Sequence, residues 1–522
     1  MLFGTTCRIE LWRLWGVFSL LLGLTPTLVI AAAVDGRLTV RTLDEETGGP
    51  IAVRMELRDA RGRVVRLRPK GAIVAGESIY FDGETTLELR RGAYTFLIEA
   101  GPEFRTRPGN FTIDRHAEDS TDITLLRRVN MRDEGWLAGD LDVQTTLAHV
   151  LLMMRARSVD FVPVTGAVND DGRCRKAKPS LPANAGEAAD RLYGPWAALD
   201  DRRGGALLAI AGDQSLDVCQ WKADESSLPM LTVAREAGAV VVAISPTAWD
   251  FPLWVASGKL DAVQVINRFS QPGVGAAASK AARPRDNALF GGKLGPGRYS
   301  ESIYHHLLNC GLRLPPAAGS GAVTDSNPRQ PNAVLGSSRV YVHCEDEQCT
   351  RDAWLAGLKA GRVVVTNGPL LRTRVEGRPP GEIFSIETGE TREFQIALGL
   401  AFYDQTQVEY LEIIQNGMTM HHVRLAELAE QEGRLPPVKF EGSGWFLVRA
   451  ITNNPELYQF ASTGPYYVEA DYQPRISRAS VEYFIKWLDD AAEQFAKNEA
   501  VLADIEAARP FWNKLLAAAN AE

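Results

Sequence analysis

Between residues 136 and 370 the chain repeatedly sets a short, near-continuous apolar run beside a segment of helical period. The runs are "VDFVPVT" (159–165), "ALLAIAG" (206–212), "AVVVAI" (239–244), "DAVQVI" (261–266) and "RVYVH" (339–343). Runs without polar alternation read as strands covered on both faces, the pattern of buried parallel strands. Helical patterns fall between them at 147–157, 186–199, 229–237, 299–310 and 351–361. Alternation of this kind predicts an α/β barrel or a doubly wound sheet. Either fold puts its functional groups at the C-terminal ends of the strands.

The flanks follow a different rhythm. Residues 34–128 alternate apolar and polar positions around turns, with Tyr94, Phe96 and Ile98 on one face, and predict a small β-sandwich. Residues 371–475 return to strand character, with Asn416-Gly417 as a hairpin turn, and predict a second sandwich. From Ser477 a helix takes over, with Val481, Phe484, Ile485, Leu488, Ala492 and Phe495 at helical spacing. Pro510 is expected to start another short helix, with Phe511, Trp512 and Leu515 facing inward. The division is therefore 1–33 targeting segment, 34–128 sandwich, 129–370 α/β barrel, 371–475 sandwich and 476–522 helical segment.

A chain of 522 residues exceeds one ordinary core. Its 45% hydrophobic and 23% charged residues are those of a folded globular protein. The formal net charge of −8, with no concentrated basic face evident, argues against a nucleic-acid partner. Arg8 and Arg13 precede an apolar run from Leu14 to Ala33 that closes on Ala31-Ala32-Ala33. This is the pattern of a cleaved signal peptide, and an uncleaved anchor is the alternative. Export makes disulfides plausible among the five cysteines beyond Cys7: Cys344 with Cys349 is the best local pair, Cys174 with Cys219 a second, and Cys310 is left free.

The stretch "GWLAGDLDVQTTLAHVLLMM" (135–154) has the form of a strand end, a polar turn and a helix. Asp140, Asp142 and Gln144 fall at alternate positions, so on a strand they share a face. Three oxygen-bearing groups there would suit a hard cation such as Mg²⁺. The plainer reading has Asp140 capping the turn, with the other two bonded to loop backbone or water. None of the seven histidines (116, 149, 305, 306, 343, 421 and 422) forms an H-x-H or H-E-x-x-H pair. "AAGSGA" (317–322) lacks the spacing of a nucleophile elbow, and there is no phosphate-cradling glycine motif.

"GDLDVQTTLAHVLLMMRARSVDFVPV" resembles the opening motif of the CehA/McbA-type metallohydrolases, a branch of the PHP (polymerase and histidinol phosphatase) superfamily. "WDFPLWVASGKLDAVQVINR" (249–268), "YHHLLNCGLRLPPAAGS" (304–320) and "AWLAGLKAGRVVVTNGPLLRTRV" (353–375) match further motifs in the same order. The resemblance implies a PHP-like, distorted TIM-type α/β barrel flanked by two β-sandwiches, with C-terminal helices. It also implies that the N-terminal sandwich is of the carboxypeptidase-regulatory or prealbumin-like kind. In the family the motif runs G-D-L-H-x-H-T and both histidines bind catalytic metal. Asp142 and Gln144 stand at those positions here. The family's Asn-Asn-His after a later strand appears as Asn267-Arg268-Phe269. A neutral amide is a poor ligand for Zn²⁺ or Mn²⁺, and a phenyl ring is none.

The resulting expectation is an exported pseudoenzyme, periplasmic or extracellular, with no cofactor. Its former active-site cleft (Asp140, Asp142, Gln144, Asn267, Arg268) would bind a small polar ligand or carbohydrate. One alternative is an active ester or phosphoester hydrolase holding Mn, Zn or Mg at a rearranged site built from Asp140, Asp142, His149 and Asp325. The other is a cell-surface interaction protein in which the barrel is scaffold.

Overall fold

The computed structural model describes residues 34–170, 172–176, 187–188, 190–202, 205–212, 215–270, 282–323, 333–345, 349–401 and 407–522. Residues 1–33, expected to be a targeting segment, Asp325 and residues 271–281 lie outside the described residues. The chain is a β-rich multidomain protein whose two longest helices close its C-terminal end.

The N-terminal part is two sheets over one core. Gly36–Asp44 lies between Glu84–Leu89, antiparallel, and Glu118–Leu125, parallel. A second sheet runs in the order Ile73–Ala75, Ser78–Asp82, Ala52–Asp59, Gly92–Glu99, Arg107–Ile113. Between them Val53, Met55, Leu57, Phe81, Leu87 and Ile98 form a shared apolar cluster.

In the central part Trp136–Gly139 pairs in parallel with Phe161–Asp170, which pairs in parallel with Arg191–Asp200. The ladders then pass to Leu207–Ile210 and Val240–Ala243, both antiparallel steps. Parallel steps follow to Ala262–Ile266 and Pro316–Ala318. Next in the chain, Ala322–Val323 pairs with Val143–Gln144, which also pairs with Phe161–Asp170. The succession of ladders thus returns to the chain just beyond its starting strand.

Three local expectations are corrected. Leu207–Ile210 and Arg339–His343 are antiparallel to both their neighbours. Burial on both faces erases the polar alternation whatever the strand direction, so the apolar run could not reveal it. The helix expected over 186–199 is instead strand, Glu187–Ala188 and Arg191–Asp200. Gly194 and Pro195 lie inside that segment and oppose a helix, whereas Tyr193 and Trp196 favour a pleated, packed surface. Pro510 does not start a helix. It lies inside Glu499–Ala517, which is capped by Asn498 and held by buried Val501, Ile505, Ala508 and Trp512 at helical spacing.

The sheet does not stop at residue 370. Val363–Thr366 pairs antiparallel with Arg339–His343 on one side and with Phe460–Thr463 on the other. Beyond it, Leu370–Val375, Arg392–Ala401 and Arg434–Phe440 form a separate antiparallel sheet. Asn416 and Gly417 both have positive φ (53° and 85°) and join Val408–Gln415 to Met418–Val423. That is the geometry for which the Asn-Gly pair is suited.

Helix Arg478–Gln494 starts at Ser477, whose hydroxyl accepts the Ser480 N–H. Phe484 and Trp487 pack with Trp512 against Phe251, Val263 and Val265. The buried stripe includes Trp487 and Ala491 and leaves Ile485 and Ala492 only partly covered.

Cys174 is bonded to Cys219 and Cys344 to Cys349, while Cys310 is free and buried. Two disulfides indicate an oxidising compartment. No helix among the described residues is long and apolar enough to cross a membrane. Burial pushes the Cys310 thiol up from its ordinary value, so it should resist iodoacetamide in the folded protein. Denaturation without reductant should expose Cys310, whereas the other four should react only after reduction. Peptide mapping by mass spectrometry checks this.

Candidate functional site

Strand Trp136–Gly139 ends one residue before Asp140, and pairing resumes only at Val143–Gln144. The bend at 140–142 breaks the alternation that would have put Asp140, Asp142 and Gln144 on one strand face. The two aspartates therefore do different work.

The Asp140 carboxylate is fully buried and accepts four hydrogen bonds. One oxygen takes the Ser320 N–H at 2.9 Å and the Asp142 N–H at 3.2 Å. The other takes the Gly336 N–H at 2.7 Å and the Ser320 hydroxyl. Asp140 thus ties together three separate turns. Burial raises its pKa to about 6 against these donors. The plainer expectation for this residue, that it caps the turn, matches these hydrogen bonds.

Asp142 is also fully buried, but neither of its oxygens has hydrogen-bond geometry to a protein donor. Its nearest cation is Arg268, whose Nε lies 3.3 Å away. Burial raises the Asp142 pKa, opposed first by Arg268 and then by Gln144. The same guanidinium reaches Asp201, Nη2 to Oδ2 at 3.3 Å. Asp201 is raised to about 6 by burial, with Arg268 pulling the other way. A single arginine therefore stands between two carboxylates.

Gln264 completes the cluster. It alternates on its strand with Ala262 and Ile266, which belong to the same apolar cluster as Leu141, whereas Val263 and Val265 pack with the helices. Gln264 is fully buried, and neither end of its amide has a hydrogen-bond partner. Gly319 allows the close approach: a Cβ there would lie 2.7 Å from the Asp142 Cβ and 2.9 Å from the Gln264 Nε2. Buried amides and carboxylates are rarely left unpaired. Asp142, Gln264 and the Arg268 Nε are together a concentration of unspent hydrogen-bonding capacity.

The other expected residues divide. Asn267 serves the backbone: its Oδ1 accepts Phe269 N–H, Ser270 N–H and the Ser270 hydroxyl, and its amide donates to the Gln264 carbonyl. Gln144 is partly buried next to Asp142. His149, in the first turn of Leu147–Ala156, has a buried, unpartnered Nδ1. Among the described residues no three His, Cys, Asp or Glu side chains are grouped so as to hold a metal ion. Elsewhere, His306 bonds Ser480 and stacks on Tyr483, a packing role. Sequence reasoning missed Gln264, Asp201, Ser320 and Gly319. Gln264 did carry a signal, as the one polar residue inside the apolar run "AVQVI".

Buried carboxyls set the pH dependence of the fold. Glu103 is raised to about 7 by burial, with Asp160 adding to it. With Asp140 and Asp201 at about 6, the folded chain holds protons that the unfolded chain releases. Their stabilising contribution is complete below the unfolded values of roughly 4 and is lost as pH rises through about 6 to 7. Glu99 and Glu301 are lowered against their own burial by arginines, and their contribution is lost on acidification instead. Thermal stability should therefore peak near about pH 5 and fall toward about pH 8. Glu103→Gln should flatten the upper part of that decline, as calorimetry at stepped pH would show.

No known family profile matches the chain, and no curated protein matches it. Among solved structures, two of a pilus-presented adhesin are similar at 12% and 13% identity, over 18% of this chain and 28% and 27% of theirs. A streptococcal ancillary pilin is similar at 12% identity over 22% of this chain and 37% of its own. Each has a TM-score of 0.14, so these partial overlaps carry neither a fold nor a function for the whole chain.

Proposed function

We propose that this chain is an exported homologue of the CehA/McbA-type PHP metallohydrolases, in which ligand binding has outlasted hydrolysis. On this reading the central ladders are a PHP-like barrel spanning 129–370, between sandwiches at 34–128 and 371–475, with 476–522 as a helical cover. The segment 1–33 is removed on export to the periplasm or the cell exterior.

The Asp142–Arg268–Asp201 arrangement carries the proposal. Where the family resemblance implies histidines and a metal ion, this chain sets a buried guanidinium between two carboxylates. That charge is permanent and does not exchange. A divalent cation brought beside it in a poorly screened interior would be repelled more strongly than in water. The donor set is also wrong for Zn²⁺ or Mn²⁺: Gln144 and Phe269 stand where imidazoles would be needed. The residues present do not fit the family's metal centre, and no hydrolytic step is derived through one.

Their unpaired atoms are those that a small, uncharged polar molecule with several hydroxyls, such as a sugar, would satisfy. Hydroxyl hydrogens would meet the free lone pairs of Asp142 and the Gln264 Oε1, and hydroxyl oxygens would meet the Gln264 Nε2 and the Arg268 Nε. The second reading, an oxygen-ligated hydrolase, requires Arg268 to leave Asp142.

Elemental mass spectrometry on protein purified without chelators separates the two. Substoichiometric metal, persisting after incubation with excess Mn²⁺ and Zn²⁺, is the expected result. One equivalent of Zn, Mn or Fe would overturn the proposal.

A further inference from the structure

Acidic overall composition hides a basic groove in the N-terminal sandwich, about 1060 Å³ in volume. One wall is Glu84–Leu89, the outer strand of the three-stranded sheet. Among the described residues this strand pairs with Gly36–Asp44 alone. The Asp35 N–H donates to the Leu89 carbonyl, so by antiparallel alternation Leu89, Leu87 and Thr85 face the paired side. Glu84, Thr86 and Glu88 turn their N–H and C=O groups outward, toward the groove they line.

The facing wall is the segment 65–70, which runs outside the named strands and enters a turn at Lys70. Val65 and Leu67 pack on the sandwich core, while Arg66, Arg68 and Lys70 are exposed. Arg66 and Arg68 lie on either side of inward-packed Leu67, and Lys70 follows at the turn. Of the three acids that line the groove, Asp59 is held by Arg63 at 2.7 Å and Glu88 by Arg37 at 3.3 Å, while Glu84 is exposed and forms no ion pair among the described residues. Among the described residues Arg66, Arg68, Lys70 and Arg90 have no ion-pair partner. The sequence "RGRVVRLRPK" (61–70) is the signal that composition alone concealed.

We infer that this groove binds an extended acidic peptide segment, added as a further strand beside Glu84–Leu89 with its carboxylates on Arg66, Arg68 and Lys70. A strand repeats its side chains every two residues, and Arg66 and Arg68 alternate with inward-packed Leu67, so acidic side chains on one face of the incoming strand meet cations on the wall. Guanidinium groups favour carboxylates through paired hydrogen bonds. A polysaccharide offers no row of N–H and C=O groups to the open edge. A single-stranded nucleic acid needs aromatic platforms, and the one aromatic lining the groove, Tyr94, is 7% exposed.

The test uses the full exported chain and a labelled peptide of about ten residues alternating Glu and Val, at the long end of ordinary strands. The controls are the same peptide methylated at every backbone nitrogen, which keeps the charge but has no N–H to donate to the edge, and polygalacturonate. Saturable binding of the Glu–Val peptide alone is expected, weakening as salt rises, with slower hydrogen exchange at the Thr86 and Glu88 amides. The R66S/R68S/K70S variant should bind about tenfold more weakly. Equal binding of either control would reduce the groove to a generic polyanion patch and overturn the inference. So would no binding, or unchanged exchange at Thr86 and Glu88. The exchange measurement uses the unaltered protein, so it decides even if the variant fails to fold.

Discussion

Asp140→Ala should cost about 3 to 5 kcal/mol of folding stability, at the upper end for a single substitution. The magnitude follows from what the carboxylate does. It accepts the Ser320 N–H, the Ser320 hydroxyl, the Gly336 N–H and the Asp142 N–H in a site closed to water. Removing it leaves buried donors on three turns without partners, and each lost bond to a charged group is worth about 1.5 to 3 kcal/mol. The sum is reduced by the energy of burying the charge, visible in the raised pKa of about 6. Asp140→Asn keeps the shape but points an NH₂ group at one set of donors, and should recover only part of the loss. Ser320→Ala removes one of these donors and should cost about 1.5 to 3 kcal/mol. Urea unfolding checks the order Ala worst, then Asn, then the Ser320 variant. A cost for Asp140→Ala below that of Ser320→Ala would remove the case for Asp140 as the tie between the turns.

Arg268→Met should destabilise by a similar amount at about pH 8, because it strands Asp142 and Asp201 without a counter-charge. The penalty should shrink toward about pH 5. Asp201 is already raised to about 6 with the arginine present, and without it both carboxyls would take up protons more readily. Combining Arg268→Met with Asp142→Leu should restore about 2 kcal/mol relative to the sum of the single costs, since the buried pair is then removed together. Strict additivity across the cycle would mean that the contact at 3.3 Å does not couple the two groups. The same Arg268→Met protein is the one in which uptake of a divalent cation becomes electrostatically feasible. Its metal content therefore also tests why the unaltered site is expected to refuse one.

Legibility of the fold in the sequence followed the reach of each signal. Asn416-Gly417 and Ser477 were readable because a hairpin turn and an N-cap are decided within about four residues. Strand direction at Leu207–Ile210 was not, because direction is a property of the neighbours and leaves no mark on a strand buried on both faces. Over 186–199 the apolar spacing outweighed the Gly194-Pro195 pair, which was the better evidence. At Pro510 a local rule failed because the residues on either side pack at helical spacing and hold the helix through it.

The site divides the same way. Asp140, Asp142 and Arg268 were found because a motif brought them to notice. Asp201 and Gln264 come to the site only through the fold, Asp201 at Arg268 and Gln264 beside Gly319 and Asp142.

Val363–Thr366 hydrogen-bonds to Arg339–His343 on one side and to Phe460–Thr463 on the other, with Val364 opposite Thr463. The middle of the protein is thus completed by a segment that leaves the ribosome about a hundred residues later. The N-terminal sandwich has its whole core in hand by Leu125 and is free to fold as it emerges. The central sheet has to wait with an open edge until the C-terminal strands arrive, the period in which a chain of this kind is most exposed to mispairing. A chain shortened at residue 370 would keep that edge open permanently.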